Sequence, residues 1–375
     1  MMFLIQDKSK SITKKLLGNI RNHFNSFMKR INAYRFIYLI SYIHFLLKRL
    51  RQNKRDEENK FDIVFVIDNG NRGWILEAIC KEIALYFPGK STFIYDTYFP
   101  GHSINNYLVH LPENSYLPPA KAYFFAHYSY FAVCLKLEPI LWGSKNFIFY
   151  THPSGIIDDK AFSYIMNKST KVIAMCSEFA KNLINCGVES QKVTYVLGAA
   201  NPYIFQPHER FGNGAVGFCT AYYPRKDPDR IFKIVKSMPH RKFILLGKGW
   251  EQYENFSELI ALSNLAYIKA AYFEYPQYYA AMDVFVSPAK LEGGPIPLIE
   301  AMMCNVVPVA SNTGFAPDII NNGDNGFLFD VDSPCELICD LIEKAFQNKT
   351  DIRKTVENLS WENFSLEIQK LLKYE

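Results

Sequence analysis

The feature that most constrains this chain is a repeated alternation of short apolar runs with turns and helically spaced segments. Phe61–Asp68 reads FDIVFVID, the pattern of a strand buried on both faces. NGNRG follows, and then WILEAICKEIALYF at helical spacing. FIYDTY, KAYFFAH, NFIFYTH and KVIAMCS continue the series of short strands. SEFAKNLINCG predicts a helix capped by Ser177 and ended by Gly187, and KVTYVLG one more strand. The polar, Pro- and Gly-containing segment Asn201–Gly214 then interrupts the pattern. A second series begins at once. AVGFCTA, KFILLG, LAYIKA, DVFVSP, VVPVAS and DNGFLFD are its strands. PDRIFKIVKSM, YENFSELIALS, QYYAAM and CELICDLIEKAFQN are among its helices. Such alternation predicts an α/β chain with parallel sheets and helices on both faces. Two series joined by a polar segment predict two Rossmann-like halves. Ligands in such sheets bind at the carboxyl ends of the strands, here in the cleft between the halves.

The expected divisions are a basic extension over 1–60, a first Rossmann-like domain over 61–206, a linker over 207–214, a second Rossmann-like domain over 215–358, and a closing helix over 359–375 bracing the first domain. The chain, 375 residues and 49% hydrophobic, is long enough for two cores. Its net charge of +5 is unevenly spread. Residues 1–60 hold 14 Lys+Arg against 4 Asp+Glu, and the rest holds 28 against 33. A nucleic-acid-binding body is disfavoured by that acidic balance. In the extension, Ile12, Leu16, Leu17, Ile20, Phe24, Phe27 and Met28 recur at helical spacing among Lys and Arg. That fits an amphipathic helix on an anionic membrane surface. A helical hairpin packed on the protein's own body is the competing reading. The run FIYLISYIHFLL has 12 residues, short of the roughly 20 a membrane span needs, and no signal-peptide cleavage site follows it. The eight cysteines are scattered without a CxxC pair, and Cys335 and Cys339 stand one helical turn apart. They read as reduced core thiols of a cytosolic protein rather than as zinc ligands.

The stretch LEGGPIPLIEA places Glu292 and Glu300 on either side of a Gly- and Pro-rich strand-to-helix turn. Gly293 and Gly294 allow close approach of backbone to a ligand, and Pro295 and Pro297 suit a helix start. The start of a helix is a site for phosphate. Carboxylates flanking a phosphate would instead accept hydrogen bonds from sugar hydroxyls. The stretch therefore suggests a nucleotide sugar as ligand.

LEGGPIPLIEAMMCNVVPVASNTGFAPDII resembles the donor-binding motif of glycosyltransferase family 4, the retaining glycosyl transferases group 1 of GT-B fold. Glu292 and Glu300 meet its E-x7-E spacing, and the resemblance runs loosely from residue 61 and strongly through the second half. It implies transfer of a sugar from a nucleotide-sugar donor to an acceptor hydroxyl, with retention; that no metal takes part is a separate expectation, drawn from the residues themselves. By position, Glu292 would hold donor-sugar hydroxyls, the backbone from Gly293 and Gly294 to Leu298 would approach sugar and diphosphate, and Glu300 would bind the ribose. VGFCTAYYPRKDPDRI resembles the segment bringing an Arg and a Lys to the diphosphate. Lys226 matches the Lys. Ala221 stands where the family has Arg, and Arg225 would supply the missing charge. Gly247 and Gly249 match a glycine turn near the nucleotide. Gly70 and Gly73, with Arg72 between them, match the turn after the first strand. His152 in FIFYTHPSG matches a histidine facing the donor sugar, and His127 is a weaker candidate. The acceptor would be a glycan or lipid-linked sugar of polysaccharide or lipopolysaccharide assembly. The protein would then be cytoplasmic and peripheral on the inner membrane face.

Rival readings are a GT-B epimerase or phosphorylase and, because of Ala221, a non-catalytic GT-B-like binding subunit. DNGNRG lacks the full dinucleotide fingerprint of a dehydrogenase.

Overall fold

The structure is a computed structural model that describes residues 60–68, 75–96, 117–151 and 159–373, with the isolated positions 43 and 47. Nearly all of the basic extension lies outside the described residues, as do Gly70, Arg72, Gly73 and His152.

The first half is a six-stranded parallel sheet of β1 (Phe61–Asp68), β2 (Ser91–Asp96), β3 (Ala120–Phe125), β4 (Lys145–Tyr150), β5 (Lys171–Ala174) and β6 (Val193–Tyr195), in the order β2-β1-β3-β4-β5-β6. Every residue from Ile63 to Ile67 is fully buried, which is why the run shows no polar alternation. The second half repeats the design with β7 (Ala215–Cys219), β8 (Phe243–Leu246), β9 (Leu265–Ile268), β10 (Met282–Ser287), β11 (Val307–Ser311) and β12 (Phe327–Phe329). Its order is β12-β11-β10-β7-β8-β9, again all parallel. From β7 the chain winds outward to β9, then returns to β10 on β7's other side. The winding direction therefore reverses between β7 and β10, and crossovers leave a crevice at such a point.

The connection between the sheets is anchored by polar contacts. Both carboxylate oxygens of buried Asp283 accept backbone N–H groups, from Phe211 and Gly214 at 2.8 Å each. The Arg353 guanidinium donates to the carbonyls of Phe205, Met303 and Pro202 at 2.7, 2.9 and 3.1 Å. The last helix, Trp361–Lys373, returns to the first half and packs on helix Ile75–Leu85. There Ser365 Oγ donates to the Ile83 carbonyl at 2.9 Å and Gln369 Nε2 to that of Tyr86 at 3.2 Å.

One cap differs from the sequence expectation. Helix Ser177–Asn185 is capped by Cys176, whose thiol accepts from the Phe179 N–H at 3.4 Å, and not by Ser177. Cys176 is the extended residue before the first turn and so holds the capping geometry. Ser177 instead reaches the other half of the molecule: its N–H and Oγ both donate to Asp318, at 2.9 and 2.6 Å. All eight cysteines are free thiols. Among the described residues no His/Cys/Asp/Glu group is arranged to hold a metal, and no helix is long and apolar enough to cross a membrane.

Candidate functional site

At the crevice where β7 and β10 diverge, a small pocket is lined by Cys219 and Thr220 at the end of β7 and by Ser287, Pro288 and Ala289 at the end of β10. Lys226 and Glu292 also line it. A short turn, Pro224–Lys226, delivers both cations: Arg225 Nη1 reaches Glu292 Oε2 at 3.1 Å, and Lys226 Nζ is paired to Oε1. Glu292 is only 4% exposed, and a carboxylate that buried requires such partners. Backbone bonds hold the two loops together. Lys290 N–H donates to the Arg225 carbonyl at 2.9 Å, and Arg225 Nη1 donates to the Leu291 carbonyl at 3.0 Å. Ser311 Oγ fixes the far side by donating to the Ala289 carbonyl at 2.6 Å. The result is one carboxylate and two cations at the carboxyl end of a parallel sheet, a cluster of net charge +1. Ala221 has no charge to offer here, and Arg225 stands beside Lys226 as the second cation.

Helix Ile296–Met303 starts at Pro295 with no side-chain cap. Its first N–H groups are partly engaged: Ile296 donates to the Gly294 carbonyl at 2.9 Å and Leu298 to that of Pro295 at 2.8 Å, while Pro297 has none to give. The Leu298 side chain is fully buried. Anion attraction at this turn therefore rests more on Lys226 and Arg225 than on the helix start.

Glu300, one turn along that helix, is 1% exposed. It accepts from the Tyr272 hydroxyl at 2.6 Å and from the Tyr279 hydroxyl at 2.9 Å. Burial pushes its pKa up to about 7, against the opposing effect of the two tyrosine hydrogen bonds. Burial, reinforced by the Glu300 charge, likewise raises the Cys219 thiol to about 12. Both tyrosines lie between β9 and β10, far from Glu300 in sequence. Their one sequence signal is the aromatic density of AYFEYPQYY, which spacing rules read only as a short helix.

Gly247 and Gly249 form the turn after β8. The intervening Lys248 carbonyl accepts from the Tyr222 N–H at 3.0 Å, and Trp250 Nε1 donates to the Thr220 carbonyl at 2.9 Å. The turn thus supports the end of β7 from below. Gly293 and Gly294 have a different role in this conformation. A Cβ on Gly293 would stand 1.6 Å from the Thr151 carbonyl oxygen, and one on Gly294 would stand 2.2 Å from Met175 Cε. Both neighbours belong to the first half, at the ends of β4 and β5. The two halves touch at these glycines, as they do at Ser177 and Asp318. Thr151 directly precedes His152, which lies outside the described residues. His127 stacks on Tyr128, with ring centroids 4.7 Å apart.

Comparisons with known proteins bear on the fold and on the second half of the chain. Residues 205–362 match the family described as Glycosyl transferases group 1. A protein of Methanocaldococcus jannaschii described as an uncharacterized glycosyltransferase is 23% identical over 223 residues, 56% of this chain. The chain spans 61% of that relative's length. Among solved structures, HepE of Anabaena in complex with UDP superposes with a TM-score of 0.65 at 14% identity, covering 84% of this chain and 100% of HepE. The apo form of the lipopolysaccharide outer core galactosyltransferase WaaB gives 0.63 at 14% identity, covering 83% and 98%. At such identities the superpositions establish the fold.

Proposed function

From a GT-B fold whose second half matches the group 1 glycosyl transferases, we propose that this protein is a glycosyltransferase that uses a nucleotide-sugar donor. The observation that carries the reading is the Glu292–Arg225–Lys226 cluster at the β7/β10 crevice. A nucleoside diphosphate bound there meets two cations. When the donor arrives, Arg225 and Lys226 turn from Glu292 to the diphosphate, and Glu292 is released to accept hydroxyls of the donor sugar. Glu300 takes the ribose hydroxyls. As the glycosidic bond breaks, negative charge builds on the departing diphosphate, and the two cations stabilise it. Transfer retains the anomeric configuration, with the leaving diphosphate taking the proton from the acceptor hydroxyl. His152 faces the donor sugar from the first half. The reaction runs without a metal, since the charge a metal would neutralise is met by Arg225 and Lys226. The acceptor is a glycan or lipid-linked sugar, and the basic extension holds the enzyme on an anionic membrane surface.

The test is thermal unfolding of the full chain with a panel of nucleotide sugars and nucleoside diphosphates, followed by transfer assays with and without EDTA. Stabilisation by one base series and transfer insensitive to EDTA are expected. No stabilisation by any nucleotide would overturn the reading. Turnover of the donor without an acceptor would redirect it to epimerisation. Unchanged membrane association after deletion of residues 1–55 would remove the anchor from the proposal.

A further inference from the structure

Glu300 is too enclosed to accept anything from solution. It is 1% exposed, and both of its oxygens already hold a tyrosine hydroxyl. The two tyrosines are not alike. Tyr279 is fully buried, its ring 5.7 Å from Phe205 and 6.1 Å from Phe285. It belongs to the core and has nowhere to go. Tyr272 sits in the short turn Tyr272–Glu274 after β9, at the carboxyl end of the sheet, and its residue is 51% exposed. Its ring rests on Phe205 at 5.9 Å and on Tyr275 at 5.4 Å, with its outer side in solvent. Only the Tyr272 hydroxyl can leave Glu300 without disturbing buried packing.

We propose that Tyr272 is a positioning residue that covers Glu300 and must yield its place on the carboxylate to a ribose hydroxyl before a nucleotide is fully seated. The proposal rests on the reading of Glu300 as the ribose clamp. Both hydroxyls, that of tyrosine and that of ribose, are neutral donors of similar strength competing for one carboxylate oxygen. In the empty site the tyrosine satisfies a buried charge that would otherwise be left partnered on one side only. Glu82, on helix Ile75–Leu85, acts electrostatically on the Tyr272 hydroxyl, and its Oε2 has no hydrogen-bond partner among the described residues.

The experiment uses the full chain at pH 8, where Glu300 is ionised. UDP, GDP and ADP are titrated by calorimetry, and the tightest of them is compared with its 2′,3′-dideoxy counterpart. This is done in the native protein, Tyr272→Phe and Glu300→Gln. Tyr272→Phe keeps the ring packing and removes only the competing hydroxyl. It is expected to bind the ribose form about tenfold more tightly while leaving the dideoxy form unchanged. A merely structural role for Tyr272 would move both ligands together. Unchanged or weaker ribose-form binding in Tyr272→Phe overturns the cover. If Glu300→Gln still weakens the ribose form selectively, the ribose clamp survives that result. Equal effects of Glu300→Gln on both forms, or binding of no nucleoside diphosphate, overturn the clamp and the cover together.

Discussion

A carboxylate buried to 1% exposure, with a pKa near 7, is a liability for the fold. In the unfolded chain Glu300 titrates near its ordinary 4.5; in the fold it holds its proton to about 7. Between those values the folded state binds a proton that the unfolded state has lost. Its contribution to stability is therefore greatest at low pH and falls as pH rises through that window, by about 3 kcal/mol in all. The groups that surround it, Tyr272, Tyr279, Tyr275, Cys219 and Cys304, all remain neutral across this range, their pKa values raised by burial and by the Glu300 charge. Glu300→Gln is therefore expected to gain stability on the native protein, more so at pH 8 than at pH 5 by about 2 kcal/mol, in urea unfolding at the two pH values. An equal difference at both would mean that Glu300 is ionised normally. The same variant is expected to lose nucleotide affinity, the trade of stability for function found at binding sites. Lys226 is the complementary case. Lys226→Ala removes one of the two cations paired with buried Glu292 and is expected to cost about 1 to 3 kcal/mol of stability, with Arg225 still in place; on the proposed function it also lowers kcat by about 10²- to 10³-fold. A loss confined to KM would reduce it to a binding contact. Arg225 and Lys226 were candidates only through the resemblance of VGFCTAYYPRKDPDRI to a diphosphate-binding segment, whereas Glu292 was legible in LEGGPIPLIEA itself. The tyrosine cover on Glu300 was not, because Tyr272 and Tyr279 come 28 and 21 positions earlier and no spacing rule joins a helix to the turns of a preceding crossover.

At the scale of elements, the strands were the most legible part. A strand buried on both faces must be apolar throughout, so FDIVFVID and DVFVSP announce themselves. Helix caps were less so. The sequence offers Ser177 as the natural cap, but the extended residue is Cys176, and Ser177 is drawn to Asp318. Tertiary contact overrode local preference there. The last helix shows why a terminal segment belongs to a distant core. Phe364 is 3% exposed and meets Phe149 of β4 edge-on, with ring centroids 6.1 Å apart. Trp361, one turn earlier, packs on the Phe364 ring at 5.6 Å. Phe364→Ala is expected to destabilise the first half by about 3 kcal/mol. In denaturant the transition of that half should move to lower concentration while the second half's stays in place. A shift of both together would mean that the two sheets unfold as one cooperative unit.

At the scale of the molecule, the question is what sets the distance between the halves. Among the described residues, contacts that cross the cleft include Gly293 against the Thr151 carbonyl, Gly294 against Met175, and Asp318 accepting from Ser177. The first is the least forgiving, because its partner is backbone. A methyl group on Gly293 would stand 1.6 Å from that oxygen, and no rotamer change relieves it. The sequence showed glycines suited to close approach but could not say to what, since the partner lies roughly 140 residues away on the other sheet. Gly293→Ala is therefore expected to leave both halves folded and to prevent them from meeting. The halves would swing apart about the linker, with an increase in the radius of gyration in solution scattering and a circular dichroism spectrum like that of the native protein. Transfer, on the proposed function, should fall sharply, because it needs both halves at the crevice. Nucleotide binding should fall far less, because Lys226, Arg225 and Glu300 all belong to the second half. Asp318→Ala removes only the hydrogen-bonded latch and should open the molecule partially, with a smaller loss of transfer. If Gly293→Ala keeps the native radius of gyration and activity, the contact at Thr151 does not set the closed distance, and the glycine is needed there for the ligand alone.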